Sequence, residues 1–150
     1  MSSESKYYQG RFHPRNPEKY KGDVKNIIYR SSWELKFMKW CDLNDKILEY
    51  SSEEFFIPYY DPTTKKVRRY FPDFLIKYIT VEGVVKKAVI EIKPLRETKE
   101  PVLSKNKRKK TILNETLTYA KNQAKWQAAK EFCEDHLMEF RIITEKELGI

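Results

Sequence analysis

The chain has 150 residues, of which 40% are hydrophobic and 14% aromatic, which excludes a disordered chain and fits one domain with its own core. Its formal net charge of +8 favours a polyanionic partner such as nucleic acid. No apolar run reaches the length of about 18 residues that a membrane span needs, and the polar N-terminus does not fit a secretory signal, so no membrane partner is expected.

Residues 1–25 are predicted to form a basic N-terminal arm, and residues 26–150 a single domain. Basic side chains lie among Gly and Pro in the arm, which fits either a solvated tail or an arm that contacts DNA. Cys41 and Cys133 are isolated in helical segments and lack the spacing of a zinc site. Both are therefore predicted to be buried, reduced thiols.

A first helix is predicted to begin at Ser31, which can cap it, with Glu34 placed three residues later as in a capping box. Apolar residues then recur at helical spacing, so one face of the helix is expected to pack on a core. These residues are Trp33, Phe37, Trp40, Cys41 and Leu43. The helix is expected to end at Asn44.

Five strands are predicted next, at residues 47–50, 55–60, 67–70, 73–80 and 84–92. The last two are the strongest and are joined by the short connection 81–83, which indicates an antiparallel hairpin. Asp73 and Glu91 are equally far from residue 82 on either side. The hairpin is therefore expected to bring both carboxylates to the same end.

The next part of the chain is predicted to contain a basic segment over residues 94–111, which is either solvated or in contact with a phosphate backbone, then a long helix and a final strand over residues 139–143. The helix is expected over residues 114–135, and Thr144 can cap a short terminal helix. The predicted inner stripe of the long helix consists of Leu117, Ala120, Trp126, Ala129 and Cys133. The element order α-β-β-β-β-β-α-β indicates a mixed α/β domain.

The pair Asp73 and Glu91 is the strongest chemical feature of the sequence. Neighbouring carboxylates repel each other unless a cation lies between them, and Mg²⁺ commonly takes one or two carboxylates with water and phosphate. Lys93 is two residues past Glu91 and should project to the same face, because side chains alternate along a strand. Each pattern alone also has a structural explanation: Glu34 as a capping partner, Pro-Asp as a turn, and Glu-Ile-Lys as a surface motif.

In combination these residues resemble the PD-(D/E)xK nuclease superfamily, with Pro72-Asp73 and Glu91-Ile92-Lys93 as its core motif. Residues 30–34 resemble the helix start of the TnsA-like endonucleases, and residues 140–145 resemble their closing strand. Within that family the chain is most similar to a nuclease of T-even-like phages. The resemblance implies a restriction-endonuclease-like fold, with a mixed β-sheet flanked by helices, and metal-dependent cleavage of DNA.

The resemblance, together with charge, also suggests roles for individual residues. Asp73, Glu91 and the backbone carbonyl of Ile92 would hold Mg²⁺, for which Mn²⁺ would substitute, and Glu34 would complete the shell, bind a second ion or hold a metal water. Lys93 would orient the attacking water or stabilise charge in the transition state. Related nucleases often carry a Gln after this strand, which makes Gln123 a candidate, although an ordinary polar helix residue explains it equally well.

Contacts to DNA are expected from basic side chains after the motif. The candidates are Lys107, Arg108, Lys109, Lys110, Lys121 and Lys125. For the run 107–110, a solvated surface is an equally good explanation. Tyrosines offer either core packing or stacking with unpaired bases. They include Tyr7, Tyr8, Tyr59, Tyr60 and Tyr70.

The leading hypothesis is a metal-dependent DNA endonuclease that acts at phage head completion and processes the end of packaged DNA. It would work in the host cytoplasm during assembly, contact phage head, portal or neck proteins, and enter the virion. One alternative is a structural head or neck protein that binds DNA ends with little cleavage. Another is the nuclease subunit of a transposition or repair complex.

Overall fold

The computed structural model describes residues 9–150, so the part of the predicted arm that contains Tyr7 and Tyr8 lies outside the described residues. The strands are β1 (Gly10–Arg11), β2 (Ile28–Tyr29), β3 (Ile47–Ser52), β4 (Ile57–Asp61), β5 (Lys66–Tyr70), β6 (Phe74–Ile79), β7 (Val85–Ile92) and β8 (Glu139–Ile143). The α-helices are α1 (Ser32–Leu43), α2 (Lys109–Asp135) and α3 (Glu145–Leu148), and short 3-10 turns lie at Pro17–Lys19, Val24–Asn26 and Leu95–Thr98. The order from α1 to β8 is the predicted one.

A four-stranded mixed sheet forms the centre of the domain, in the order β3-β6-β7-β8. The pairs β3–β6 and β6–β7 are antiparallel, and β7–β8 is parallel. The parallel pair requires a crossover, which α2 provides between the two strands. The hairpin β4–β5 forms a separate two-stranded sheet.

Two apolar clusters lie on opposite faces of the central sheet, in which the residues of β7 from Ala88 to Ile92 are all buried. Ala88, Ile90 and Ile92 join the cluster around α1, as the alternation of side chains requires. The second cluster joins α2 to the hairpin β4–β5. Helices thus flank the mixed sheet, which confirms the predicted fold class.

The segment from residue 10 to residue 29 packs against the domain. Strands β1 and β2 pair with each other, and the backbone N–H of Phe12 donates to the Ile27 carbonyl at 2.7 Å. Phe12, Tyr20 and Ile27 are buried in the cluster around α1. The division of the chain between residues 25 and 26 stays a prediction.

Helix α1 begins as predicted, because the Ser31 hydroxyl accepts a hydrogen bond from the Glu34 backbone N–H at 3.1 Å. Its buried face is rotated from the predicted one, however. Trp40 and Leu43 are exposed, whereas Met38 and Asp42 are buried. The Asp42 carboxylate accepts hydrogen bonds from the backbone N–H groups of residues 15 and 16, which turns that side of the helix inward.

Helix α2 begins at Lys109, five residues before the predicted start, so it takes in the end of the basic segment. Lysine is a good helix former, and its side chains stay in solvent there. Trp126, Ala129 and Cys133 are buried as predicted, but Leu117 is exposed. The first half of α2 therefore packs less closely than the helical spacing of its apolar residues predicts.

The remaining local predictions hold within the described part of the chain. Cys41 and Cys133 are both buried and unpaired. Thr144 caps α3 in a reciprocal capping box with Glu147. No helix among residues 9–150 is long and apolar enough to span a membrane.

Candidate active site

Strands β6 and β7 bring Asp73 and Glu91 together at one end of the sheet. Phe74 pairs with Ile90, so Asp73 and Glu91 occupy the next register position of the antiparallel hairpin. Both carboxyl groups are buried. The predicted meeting of these two residues is therefore confirmed.

The environment of Asp73 disfavours its charge. Burial raises the pKa of this carboxyl well above its usual range, and the neighbouring Glu91 carboxylate raises it further. The backbone N–H of Ile92 donates to Asp73 Oδ2 at 2.8 Å and partly offsets both effects. A positive charge between the two carboxylates would relieve this repulsion.

Glu91 is held in place by Tyr70, the last residue of β5. The Tyr70 hydroxyl donates to Glu91 Oε1 at 2.8 Å, and both side chains are buried. Burial and the adjacent Glu91 carboxylate raise the pKa of Tyr70, so the hydroxyl remains a donor. The hydrogen bond also fastens the hairpin β4–β5 to the end of the central sheet.

Glu34 lies in the first turn of α1 and is close enough to Asp73 to raise its pKa. Its Oε1 accepts a hydrogen bond from the Arg30 backbone N–H at 3.4 Å. Within residues 9–150, its buried Oε2 has no hydrogen-bond partner. Burial, reinforced by Glu53, raises the pKa of Glu34 to about 7 although the Arg30 N–H opposes the shift.

Two lysines lie near the carboxylate pair. Lys93 is buried directly after β7, and its backbone N–H continues the β7–β8 ladder by donating to the Ile143 carbonyl at 3.0 Å. Lys125 of α2 lies against the rings of Tyr59 and Tyr70, with its Nζ 5.9 and 5.7 Å from their centroids. Burial lowers the pKa of Lys125; the Glu91 carboxylate opposes this shift and Lys93 adds to it.

The donor set fits a hard divalent ion that takes few ligands from the protein. No three His, Cys, Asp or Glu side chains in the described part of the chain lie close enough to hold one ion together. Asp73 and Glu91 nevertheless supply two carboxylates that repel each other, and the unpartnered Glu34 Oε2 lies nearby. Mg²⁺ commonly binds one or two carboxylates and completes its shell with water and phosphate.

Gln123, the predicted catalytic residue on α2, does not lie on the buried face of that helix. Gln123 is exposed, whereas Asn122 and Trp126 on either side of it are buried. Lys125, which was predicted only as a DNA contact, is the α2 residue with electrostatic contacts to Glu91 and Lys93. A catalytic role for Gln123 stays a prediction.

The remaining predicted DNA contacts have different surroundings. Lys107 Nζ forms an ion pair with Glu115 at 3.0 Å, while Arg108, Lys109 and Lys110 are exposed at the start of α2. Lys121 Nζ lies 3.7 Å from Asp61 Oδ2, beside Arg68 at 3.3 Å. Burial would raise the pKa of Asp61, but hydrogen bonds from Thr63 outweigh it and lower that pKa to about 2.

Tyr70 is the site residue whose role sequence analysis missed. It was identified only as one of many aromatic rings, because the sequence does not show that β5 ends beside Glu91. The one usable signal was its place immediately before Phe71-Pro72-Asp73. A buried tyrosine next to a motif carboxylate needs a hydrogen-bond acceptor, and Glu91 supplies it.

Two matches with known proteins bear on this site. The family model described as "TnsA-like endonuclease N terminal" matches residues 44–145. The "Head completion nuclease" of Enterobacteria phage T4 is 40% identical over 141 residues, which cover 92% of this chain and 91% of that protein. The family match includes Asp73, Glu91 and Lys93 and begins after Glu34.

Proposed function

The chain belongs to the TnsA-like endonuclease family, and we propose that it hydrolyses phosphodiester bonds of DNA with a divalent metal ion held by Asp73 and Glu91. The relative in phage T4 is named a head completion nuclease, so this chain is a phage-associated nuclease. The observation that carries the metal site is the buried, mutually repelling pair of carboxylates at the end of β6 and β7.

The proposal assigns a role to each site residue. Asp73 and Glu91 would bind Mg²⁺ or Mn²⁺ with the Ile92 carbonyl, and Glu34 would hold one of the waters of the ion. When bound, the ion polarises the scissile phosphate and lowers the pKa of a bound water. Lys93 orients the nucleophile and stabilises the charge that develops on the phosphate. Lys125 adds a second positive charge beside Glu91.

Cleavage of plasmid and linear DNA by purified protein in Mg²⁺, Mn²⁺ or EDTA tests this function. Wild type should cut in either metal and not in EDTA. Asp73→Asn and Glu91→Gln should each abolish cutting while still binding DNA. Lys93→Ala should abolish cutting but retain metal binding in calorimetry, and Lys87→Ala, an exposed lysine on the same strand, should behave like wild type.

Equal cutting by wild type and both carboxylate variants would refute the site. DNA binding with no cutting by any protein would favour the structural head or neck protein. Activity that appears only with further subunits would favour a transposition or repair complex.

We also propose that the nuclease acts at head completion, in the host cytoplasm, on the end of packaged DNA. The name of the T4 relative supports this stage of assembly. Head, portal or neck proteins would then be its partners, and the protein would remain in the virion. Mass spectrometry of purified particles tests that location, since absence of the protein from mature virions would contradict its incorporation.

A further inference from the structure

An exposed aromatic pair stands beside the candidate active site. The rings of Phe56 and Phe71 have centroids 5.7 Å apart at an interplanar angle of 49°. Phe56 is 42% exposed and Phe71 46% exposed. The guanidinium carbon of Arg69 lies 4.8 Å from the centroid of the Phe56 ring. Two large apolar side chains and a cation therefore share one solvent-facing surface, which we call the aromatic platform.

The hairpin β4–β5 explains why these rings face solvent. Ile57 pairs with Tyr70, and both point into the cluster against α2. Phe56 and Phe71 immediately flank this pair at the open end of the hairpin, and side-chain alternation turns them the other way. Arg69, which pairs with Pro58, is exposed for the same reason. The platform is thus a built feature of the outer hairpin face.

The chain itself fixes the distance from the platform to the chemistry. Phe71 precedes Asp73 by two residues, so their Cα atoms lie at most about 7 Å apart. Tyr70, the last residue of β5 and the chain neighbour of Phe71, is fastened to Glu91 by its hydroxyl. The backbone of Phe71 is therefore close enough to that of Asp73 for a DNA strand bound at the candidate site to reach the platform.

The chemistry of the platform favours a base over a phosphate. Aromatic faces with an adjacent guanidinium stack on nucleobases, and the guanidinium also attracts the backbone. Bases inside a duplex already stack on both faces, so an unpaired base gains the most from lying on the platform. The basic side chains at residues 66, 68 and 69 of β5 favour a polyanionic strand as the partner and disfavour a basic protein surface.

We propose that the aromatic platform binds an unpaired base next to the scissile phosphate, which makes DNA ends or junctions with single-stranded bases the preferred substrate class. This inference rests on the proposed nuclease function for its biological meaning, but base binding is measurable without cleavage. Phe71 and Phe56 are the stacking groups, and Arg69 holds the Phe56 ring and contacts the strand.

Fluorescence of 2-aminopurine tests the proposal in EDTA, where no cutting occurs. A blunt duplex is compared with the same duplex carrying a short single-stranded extension that contains the probe. Wild type should bind the extended duplex more tightly and quench the probe. Phe71→Leu should weaken that binding by at least about fivefold, the lower end for removing one base–aromatic stack, and should abolish quenching.

Two further variants separate stacking from folding. Phe71→Trp keeps an aromatic face and should retain both affinity and quenching. Tyr60→Leu removes another exposed ring of the same hairpin, on its far side from Asp73, and should behave like wild type. Circular dichroism of all variants shows whether each is folded. An equal loss in Phe71→Leu and Tyr60→Leu would overturn the proposal.

Other occupants of the platform would give different results. Equal weakening of blunt and extended duplexes by Phe71→Leu would indicate a contact with paired DNA and overturn the proposal. Self-association of wild type that Phe71→Leu abolishes, with unchanged DNA binding, would indicate a second copy of this chain and also overturn it. A protein that quenches the probe but never cuts DNA would refute the nuclease function and leave base binding standing.

Discussion

The charge of Glu34 should destabilise the metal-free fold in a pH-dependent way. Burial raises the pKa of this carboxyl from 4.5 to about 7. Because a difference of one in pKa corresponds to about 1.36 kcal/mol, ionising Glu34 in the folded state costs about 3 kcal/mol. The folded state binds more protons than the unfolded state within that interval. The stabilising contribution of the protonated Glu34 carboxyl group is therefore fully present below pH 4.5 and is lost as pH rises through about 7.

Glu34→Gln removes the ionisation and keeps the shape of the side chain. Urea unfolding in EDTA at several pH values should show the variant gaining about 3 kcal/mol on wild type between pH 4.5 and a pH above 7. Comparing the same two proteins across pH cancels the constant cost of a buried amide. Glu82→Gln, at an exposed position in the β6–β7 turn, should stay parallel to wild type throughout.

Parallel pH curves for wild type and Glu34→Gln would refute the argument that a buried, underpartnered carboxylate resists ionisation. Mg²⁺ adds a second comparison, because a bound divalent ion favours the ionised form. We expect saturating Mg²⁺ to reduce the difference in free energy of unfolding between wild type and Glu34→Gln at high pH. A gap that Mg²⁺ leaves unchanged would remove Glu34 from the metal site and leave the burial argument intact.

Three further predictions concern other parts of the molecule. Tyr70→Phe removes the hydroxyl that orients Glu91 and should weaken Mg²⁺ binding in calorimetry by about tenfold to a hundredfold; unchanged affinity would contradict that role. Replacing residues 107–110 with Ser should make the slope of log K for DNA binding against log salt concentration shallower by about 0.9 for each phosphate that the protein no longer neutralises. An unchanged slope would assign the run to solvated surface. Met38→Ala empties a fully buried position in α1 and should reduce the free energy of unfolding by about 2 to 5 kcal/mol in urea titration, whereas a reduction of less than about 1 kcal/mol would mean that the core collapses around it.

The carboxylate pair could be predicted from sequence because local rules determine it. Apolar runs with β-branched residues indicate β6 and β7, and a short connection between antiparallel strands fixes their register. Once the register is fixed, Asp73 must meet Glu91, and strand alternation predicts Lys93 on the same face as Glu91. The meeting of the two carboxylates therefore depends only on neighbouring strands and can be predicted without the rest of the fold.

Helix rotation could not be predicted in the same way. In α1, Trp40 and Leu43 are as apolar as the buried residues, but buried Asp42 binds backbone N–H groups of the preceding loop and sets the rotation. In α2, one residue step turns a side chain by about 100°, which separates exposed Gln123 from buried Asn122. Which face of each helix is buried therefore depends on tertiary contacts between segments distant in the sequence.

The parallel pairing of β7 with β8 has a consequence for synthesis of the chain on the ribosome. The Glu91 end of β7 rests on Ile142 and Ile143, which are made only after the whole of α2. A nascent chain that already carries Glu34, Asp73, Glu91 and Lys93 still lacks the strand that supports the last two. We therefore expect cutting activity to appear only after β8 has left the exit tunnel.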